Sequence, residues 1–383
     1  MIHRSFWLGQ IEAAWRRRSV IWLSGVRRVG KTMLTQSLAD AEYFDCELPR
    51  LRATMSDPEA FLKSLKGKRV VLDEIHRLPE PAELLKIAAD HFPQVKVVAT
   101  GSSTLSAAAK FKDTLTGRKV EIHLLPMMSV DVAEFGGGDL GHRLGRGGLP
   151  PFYQADLLPE RDFQEWMDAY WAKDIQEMFR LERRASFLRF VELVLVSSGG
   201  IFEATSFAGP CEVSRTTIGN YLAVLEATRV AHVVRPFSSR RRTEIVAAPK
   251  VYGFDTGFVA YYRGWQQLRT DDLGKLWEHF VLNELQSHFP GQSVGYWRDL
   301  RGHEVDFVIS RRGQAPIAIE CKWSATRAGD TTGLAAFRRA YPQGDNYLVG
   351  ADVEKPSERR VGELRVQVVG LADLVRRFAP KTR

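Results

Sequence analysis

The chain has 383 residues, of which 44% are hydrophobic and 26% charged, so it has room for two or three globular domains. It has no apolar run near 18 residues and no signal-like N-terminus, which predicts a cytoplasmic protein with no membrane partner, and its scattered Cys46, Cys211 and Cys321 argue against a disulfide framework or a zinc site. Its net charge of +8, from 54 basic and 46 acidic residues, favours an anionic partner such as nucleic acid.

The first motif is a glycine-rich turn between an apolar strand predicted over residues 20–23 and a helix predicted over 33–39. Its glycines let the backbone bend so that N–H groups face one anion. Lys31 then reaches the β and γ phosphates, and Thr32 holds Mg²⁺. We expect a nucleoside triphosphate to bind the whole motif, although such a spacing also occurs in ordinary turns. The motif comprises Gly25, Val26, Arg27, Arg28, Val29, Gly30, Lys31 and Thr32.

A second apolar run, from Arg69, ends in two acids at the position where a buried parallel strand presents its carboxyl end. We expect Asp73 to join the magnesium shell and Glu74 to polarise the attacking water. The alternative is a strand followed by a solvated helix start, because acidic residues favour first turns.

Two further candidates follow in chain order. A strand predicted over 95–99 ends in Thr100, and Ser102 lies two residues later, so either hydroxyl can contact the γ-phosphate or the water. An ordinary helix N-cap at Ser102 or Ser103 is the alternative. Arg118 opens another predicted strand and can stabilise γ-phosphate charge in a neighbouring subunit, with a surface or structural role as its alternative.

The alternation of elements defines the predicted domains. Apolar runs at 20, 43, 69, 95 and 119 alternate with helix-like stretches, which indicates a parallel sheet covered on both faces over residues 1–135. Residues 136–151 hold seven glycines and two prolines and predict a mobile loop or hinge. Residues 159–184 predict an amphipathic helix that packs on the first domain as a lid, so 136–185 form a hinge and lid.

The segment 186–268 combines a helix–turn–helix pattern with a basic hairpin. Ser214 is a natural N-cap for a helix whose polar face carries Arg215 and Asn220, and a hairpin follows with adjacent arginines at its tip. This order predicts a winged helix that binds DNA phosphates. A protein–protein module with a solvated basic turn is the alternative. The tip arginines are Arg240, Arg241 and Arg242.

The last segment, 269–383, carries a second constellation of charges. Period-two alternation places Glu304 and Asp306 on one strand face, and Glu320 and Lys322 on one face of the next strand. If the strands pair, these side chains converge as a Mg²⁺-dependent phosphodiester hydrolase requires, with Lys322 orienting or deprotonating water. A cross-strand ladder of salt bridges is the alternative.

Seven motifs carry a resemblance to a known family: GVRRVGKT at 25–32, VVLDE at 70–74, TGSS at 100–103, GR at 117–118, PKVYGFDTG at 249–257, EVDFVI at 304–309 and IECKW at 319–323. Over nearly its full length the chain resembles a prokaryotic AAA+ ATPase family in which the ATPase core is followed by a winged helix and a PD-(D/E)XK nuclease-like domain. The implied fold class is therefore α/β, with a parallel-sheet P-loop core, a winged-helix middle domain and an α/β nuclease-like domain.

The resemblance also implies roles for individual residues. The P-loop becomes Walker A, Asp73 and Glu74 become Walker B, and Arg118 becomes an arginine finger in a homo-oligomeric ring such as a hexamer. Glu278, Asp306 and Glu320 become metal ligands of the nuclease-like domain, beside Lys322. One departure is that Val305, and not proline, precedes Asp306.

The sequence therefore predicts an ATP- and Mg²⁺-dependent ATPase that engages DNA and cleaves it with the C-terminal domain. Two alternatives stay open. The first is a DNA-remodelling or branched-DNA-binding ATPase with an inert nuclease fold. The second is a nucleotide-dependent regulatory switch that binds a protein partner.

Overall fold

The computed structural model describes residues 3–101, 109–157, 159–179, 181, 183–237, 248–289, 293–325 and 331–378. Its strands in chain order are β1 (Val20–Ser24), β2 (Ala41–Asp45), β3 (Arg69–Asp73), β4 (Lys96–Thr100), β5 (Lys119–His123), β6 (Gly200–Ile201), β7 (Ala231–Val234), β8 (Lys250–Gly253), β9 (Ser293–Arg298), β10 (Glu304–Ser310), β11 (Ile317–Lys322), β12 (Asn346–Gly350), β13 (Ser357–Val361) and β14 (Leu364–Val369).

The α-helices in chain order are α1 (Ser5–Trp15), α2 (Lys31–Gln36), α3 (Pro49–Thr54), α4 (Pro58–Ser64), α5 (Pro81–His91), α6 (Ala109–Leu115), α7 (Ser129–Glu134), α8 (Leu140–Arg146), α9 (Pro150–Gln154), α10 (Glu160–Tyr170), α11 (Gln176–Phe179), α12 (Arg184–Val196), α13 (Ala204–Ala208), α14 (Arg215–Ala227), α15 (Thr256–Tyr262), α16 (Thr270–His288), α17 (Thr332–Ala340) and α18 (Leu371–Phe378). A 3₁₀ turn spans Ile75–Arg77 and a π-helical turn spans Trp171–Ile175. Within the described residues, no helix has the length and apolar character that a membrane span requires.

The chain divides into two compact units, each assembled from several segments. Unit 1 comprises Met1–Gly138, Gly148–Leu188 and Asn220–Val230, and unit 2 comprises Asp139–Gly147, Arg189–Gly219 and Ala231–Arg383. Cys46, Cys211 and Cys321 are buried free thiols.

Unit 1 is built on a five-stranded sheet in the order β2-β3-β4-β1-β5, with every pairing parallel. Its strands begin within a few residues of the predicted positions, so the predicted α/β sheet is confirmed. The strands are apolar because helices cover them, and Trp22, Leu72 and Val97 lie in one core. Since parallel strands end at the same edge, the segments after β1, β3 and β4 meet there.

The prediction of a loop over the glycine-rich residues 136–151 was wrong. Helix α8 lies within this stretch, and α9 begins in it. Asp139 caps α8 by accepting a hydrogen bond from the His142 N–H at 2.6 Å, and Pro150 occupies the first turn of α9. Gly145 lies where a Cβ would come 3.2 Å from Leu268, so this glycine serves close packing inside a helix. Glycine content alone therefore misled the prediction.

The predicted lid is helical, but it is not one continuous helix. Helix α10 passes into the π-helical turn before α11 follows. Phe163, Trp166 and Tyr170 of α10 are buried, as their three-to-four spacing predicts. A π-helical turn shifts the register of the side chains that follow it, and such turns are frequent at functional sites.

Unit 2 contains a six-stranded mixed sheet in the order β13-β14-β12-β11-β10-β9. Strands β10 and β11 pair antiparallel, with Phe307 opposite Ile319, so the predicted pairing of these strands is confirmed. Helices α16 and α17 pack against this sheet, and Val305, Leu334 and Phe337 share its core. The sheet thus fixes which faces of β10 and β11 carry the charged residues.

A smaller antiparallel sheet, in the order β6-β8-β7, also belongs to unit 2. Its central strand β8 follows β7 as the predicted hairpin requires, although residues 244–247, predicted as the returning strand, lie outside the described residues. Between α12 and β8 the elements run helix, strand, helix, helix, strand, strand. Because β8 has a partner on both sides, its side chains hold fixed positions.

Candidate functional site

The phosphate loop runs from β1 to α2 at the carboxyl edge of the unit 1 sheet. Gly25 cannot carry a side chain, because a Cβ there would lie 2.7 Å from the carbonyl oxygen of Leu124. Gly30 has a φ of +98°, which favours glycine, and immediately precedes α2. Both glycines are therefore required by the loop conformation and not only by its sequence pattern.

Lys31 lies at the start of α2 with its ammonium group folded over the loop. Its Nζ donates to the carbonyl oxygens of Gly25 at 2.8 Å and Val26 at 3.3 Å. Burial lowers the pKa of Lys31, and the nearby carboxylates of Glu74 and Asp174 only partly oppose this shift. The ammonium is thus buried against neutral carbonyl groups, and a phosphate would be a better partner for it.

Asp73 ends β3, is 3% exposed and accepts hydrogen bonds from three hydroxyl groups. Thr32 Oγ1 donates to its Oδ2 at 2.9 Å, and the hydroxyls of Tyr43 and Thr100 also donate to this carboxylate. The structure therefore brings the two predicted magnesium residues of unit 1, Thr32 and Asp73, together. Sequence reasoning missed Tyr43, which comes from the neighbouring strand β2.

Glu74 follows directly in a left-handed conformation, with a φ of +51°. Its N–H donates to Thr100 Oγ1 at 3.1 Å, and its carboxylate lies 3.0 Å from Nδ1 of His76. Burial alone would raise the pKa of Glu74, but the close approach of His76 and the charge of Lys31 outweigh it and hold the pKa below its usual value. Glu74 is therefore ionised near neutral pH and able to accept a proton.

Lys31, Thr32 and Glu74 line one cavity of about 700 Å³ within unit 1. This volume is within the range of cavities that bind small molecules in proteins. Its wall is formed by the phosphate loop, by the acidic end of β3, by α9 and by the π-helical turn. Among the lining residues are Gly25, Arg27, Arg28, Val29, Gly30, Lys31, Thr32, Glu74, His76, Phe135, Pro150 and Asp174.

The lid segment holds the phosphate loop through three contacts. Trp166 Nε1 donates to the Arg27 carbonyl oxygen at 3.2 Å. Arg27 also pairs with Asp174 of the π-helical turn at 3.4 Å, and Arg28 approaches Glu165 at 3.9 Å. Sequence reasoning placed this helix against the first domain but missed Asp174, whose side chain is 5% exposed.

The remaining predicted residues of unit 1 lie elsewhere. Ser102 falls outside the described residues. Arg118 precedes β5, at the sheet edge opposite the phosphate loop, where its Nε donates to Asp90 at 2.8 Å. Because the two sheet edges are separated by the length of the strands, Arg118 does not reach the cavity of its own chain.

Of the residues predicted to bind DNA, the structure describes Arg215 and Asn220. Ser214 Oγ accepts the Thr217 N–H at 3.1 Å, which confirms the predicted N-cap of α14. Arg215 and Asn220 are exposed on α14, while Ile218 is buried, as the amphipathic pattern predicts. The tip arginines Arg240, Arg241 and Arg242 lie outside the described residues.

Unit 2 gathers the predicted acidic residues around a lysine that sequence reasoning assigned no role. Lys250, on β8, has a side chain only 5% exposed, and its Nζ lies 3.1 Å from Oε1 of Glu278 and 2.5 Å from Oε1 of Glu304. The Tyr252 hydroxyl donates to the same Glu278 oxygen. Burial alone would lower the pKa of Lys250, but the charges of Glu278, Asp306 and Glu304 raise it instead.

The other two carboxylates of this cluster are also engaged. Asp306 Oδ2 accepts the Cys321 N–H at 2.8 Å, and Glu320 Oε1 accepts from Lys322 Nζ at 2.8 Å. Burial and the neighbouring carboxylates Glu320 and Glu278 raise the pKa of Asp306, and burial likewise raises that of Glu320 although Lys322 opposes it. Both shifts follow from placing several carboxyl groups close together in a buried position.

The two sites differ in how well they fit a divalent cation. No group of three or more histidine, cysteine or acidic side chains in the described ranges is arranged to hold one. The Thr32–Asp73 pair needs no such group, because Mg²⁺ commonly takes one or two protein ligands and completes its shell with water and phosphate oxygens. In unit 2 the Lys250 ammonium lies against the predicted ligand Glu278 and against Glu304, so the residues there do not fit a divalent cation.

Sequence comparisons identify the first domain. Residues 17–133 match the model of a family described as an AAA domain, while 138–269 and 273–371 match two families described as domains of unknown function, DUF8612 and DUF4143. Together with the phosphate-loop geometry, the first match supports an AAA-type P-loop ATPase domain over residues 17–133.

Relatives and solved structures give the following similarities. The uncharacterized proteins Mb2031c of Mycobacterium bovis and Rv2008c of Mycobacterium tuberculosis are each 25% identical over 338 residues, which cover 85% of this chain and 75% of theirs. A Walker-type ATPase of Pyrococcus abyssi matches with a TM-score of 0.44 and 16% identity, over 69% of this chain and 96% of that chain. The AMPPCP-bound DnaA of Aquifex aeolicus matches with a TM-score of 0.29 and 11% identity, over 58% and 87%.

Proposed function

We propose that unit 1 binds ATP with Mg²⁺ and hydrolyses it. The observation that carries this proposal is that Lys31, Thr32 and the ionised Glu74 line one cavity of about 700 Å³, with Asp73 bonded to Thr32 behind its wall. A binding group, a metal-holding pair and a proton acceptor are the three elements that phosphoryl transfer to water requires. The AAA domain match supports adenosine triphosphate as the nucleotide.

In this mechanism the chain positions charge and moves one proton. Lys31 exchanges its two carbonyl partners for β and γ phosphate oxygens. Thr32 and Asp73 would hold Mg²⁺, which would supply positive charge to offset that of the phosphates. Glu74 accepts a proton from the water that attacks the γ-phosphorus, the bond to the β,γ-bridging oxygen breaks, and ADP and inorganic phosphate are released.

The test of this proposal is calorimetric titration with a non-hydrolysable ATP analogue in the presence of Mg²⁺. We expect wild type to bind one equivalent and Lys31→Ala to show no binding, because the variant removes the charge that meets the phosphates. Lys63→Ala, which removes an exposed lysine of α4, is the matched control and should bind as wild type does. Equal affinity of Lys31→Ala and wild type would refute the proposal.

We further propose that the segment from α12 to β8 is a winged helix that engages DNA. The order of its elements, the central position of the last strand and the exposed polar face of α14 support this reading. The net charge of +8 favours the same partner. The competing reading is a regulatory switch whose winged helix binds a protein.

Salt titration separates these readings. We expect DNA affinity to fall steeply with rising salt, because each phosphate contact releases counterions. The double variant Arg215→Ala/Asn220→Ala should bind more weakly than wild type and keep its ATPase activity without DNA. No DNA binding at low salt, together with an ATPase rate indifferent to DNA, would favour the protein-binding switch.

Arg118 leads to a proposal about assembly. Since it lies at the sheet edge opposite its own cavity, we propose that it stabilises γ-phosphate charge in a neighbouring copy of a homo-oligomeric ring. Arg118→Ala should then bind ATP normally and hydrolyse it slowly. Mixing Arg118→Ala with Lys31→Ala protein should restore some activity, because each variant supplies what the other lacks. No recovery in a mixture shown to co-assemble would refute action between subunits.

A further inference from the structure

We propose that Lys250 permanently supplies, in unit 2, the positive charge that a divalent cation would have to supply, so that this nuclease-like constellation is a metal-free structural cluster and does not cleave DNA. The acidic residues of this cluster include the three that the sequence predicted as metal ligands, Glu278, Asp306 and Glu320.

The position of the Lys250 ammonium carries the inference. Its Nζ contacts one oxygen of Glu278 and one of Glu304, at 3.1 and 2.5 Å, and lies 5.7 Å from the ring centre of Tyr296. A metal bound by Glu278 would compete with this ammonium for the same oxygen. Two cations at one carboxylate oxygen repel each other, and the lysine is attached to the chain.

The backbone keeps Lys250 in place. The residue lies in the central strand of the smaller sheet, with Val234 opposite it on β7 and Ile201 opposite it on β6. Tyr252, two residues along the same strand, also points to Glu278 and donates a hydrogen bond to it. Strand β8 therefore presents two donors, Lys250 and Tyr252, to Glu278 of α16 from a backbone that is paired on both sides.

The other carboxylates offer too little to hold a metal. Asp306 already accepts a backbone N–H from Cys321, and Glu320 accepts from Lys322. Glu320 Oε2 is a buried oxygen without a partner in the described part of the chain. The Lys322 ammonium, bonded to the other oxygen of the same carboxylate, already offsets the negative charge that would attract Mg²⁺ or Mn²⁺ there.

The cluster instead joins three elements of unit 2. Lys250 of β8 is tied to Glu278 of α16 and to Glu304 of β10, so one ammonium connects the smaller sheet, the long helix and the six-stranded sheet. The ammonium attracts both carboxylates across these elements, and a ligand cation would have to compete with it for the same oxygens.

The experiment measures binding of Mn²⁺ alone, without nucleotide, to the full chain by calorimetry and by the electron paramagnetic resonance signal of free Mn²⁺. Wild type and Asp306→Asn should bind the same number of equivalents, because the sites of unit 1 are identical in both proteins. Lys250→Met should bind one equivalent more than Lys250→Met/Asp306→Asn, because removing the ammonium frees Glu278 and Glu304. Lys275→Met, which removes an exposed lysine of α16, is the matched control and should equal wild type.

Two results would overturn the inference. One is a wild-type protein that binds one equivalent of Mn²⁺ more than Asp306→Asn. The other is a folded Lys250→Met protein with no additional site. If Lys250→Met does not fold, the wild-type and Asp306→Asn pair still decides, and Mn²⁺-dependent cleavage of single-stranded, duplex or branched DNA by wild type that Asp306→Asn loses would also refute it.

Discussion

Two lysines of this protein lie beside carboxylates and have opposite electrostatic surroundings. Lys31 of unit 1 bonds only loop carbonyls among its recorded hydrogen-bond partners, and its pKa is lowered by burial. Lys250 of unit 2 bonds two carboxylates, and its pKa is raised because their charges outweigh burial. A buried charge without an ionic partner indicates a site prepared for a ligand, whereas a charge already matched indicates a structural role.

The largest effect is expected at Glu74, the proposed proton acceptor of unit 1. Glu74→Gln should lower the ATP turnover number about 10²- to 10⁴-fold, because the amide cannot accept the proton of the attacking water. Affinity for the nucleotide should stay within about threefold of wild type, since the substitution preserves shape. Steady-state phosphate release and calorimetric titration measure the two quantities separately.

The control for Glu74 is Glu320→Gln, the same change in the unit 2 cluster. It should leave the ATP turnover number unaltered, because Glu320 does not line the cavity of unit 1. Unchanged turnover in Glu74→Gln would show that another group accepts the proton.

A second, smaller effect is expected in the stability of unit 2. Lys250→Met should destabilise its folding by about 3 kcal/mol, because it leaves Glu278 without its ammonium partner and Glu304 with only the more distant Arg298, at 3.9 Å. For a unit of this size the melting temperature should fall by roughly 6–12 °C. Thermal unfolding followed by calorimetry measures the change.

The matched variant Lys275→Met should stay within about 0.5 kcal/mol of wild type, because its side chain is exposed. Lys250→Arg keeps the charge and should recover part of the lost stability. A Lys250→Met protein as stable as wild type would mean that the cluster is not held together by its lysine.

Much of unit 1 was accessible from the sequence because its signals are local. Five short apolar runs predicted the strands, and the eight-residue motif predicted a loop whose glycines the backbone requires. The Thr32–Asp73 contact followed from the rule that parallel strands end at one edge. The same local reasoning failed for residues 140–146, where an Asp cap and close packing favour a helix despite the glycines.

The charge cluster of unit 2 was only half predictable. Alternation along β10 and β11 correctly placed the acidic residues on faces that meet. Lys250 was not assigned to them, because it is 28 residues from Glu278 and lies on a strand of another sheet. Periodicity shows which face of a strand a residue occupies, but it does not show which distant strand approaches that face.

The smallest effect tests the Arg27–Asp174 ion pair on the wall of the unit 1 cavity. Asp174→Asn should tighten ATP binding about three- to tenfold, because the carboxylate holds Arg27 and competes with the phosphates for it. Affinity for the non-hydrolysable analogue, measured by calorimetry at low and high salt, reports the change, and the difference from wild type should shrink as salt rises.

Glu165→Gln provides the comparison for Asp174, because Glu165 pairs with the adjacent Arg28 at 3.9 Å but its side chain is 44% exposed. Its effect on affinity should stay below about twofold, as solvent already screens that pair. If Asp174→Asn weakened ATP binding instead, the carboxylate would be positioning Arg27 for the phosphates. The Arg27–Asp174 pair would then have a positioning role, as the Lys250 cluster has. The contrast with Lys250 would depend on Lys31, whose ammonium bonds loop carbonyls.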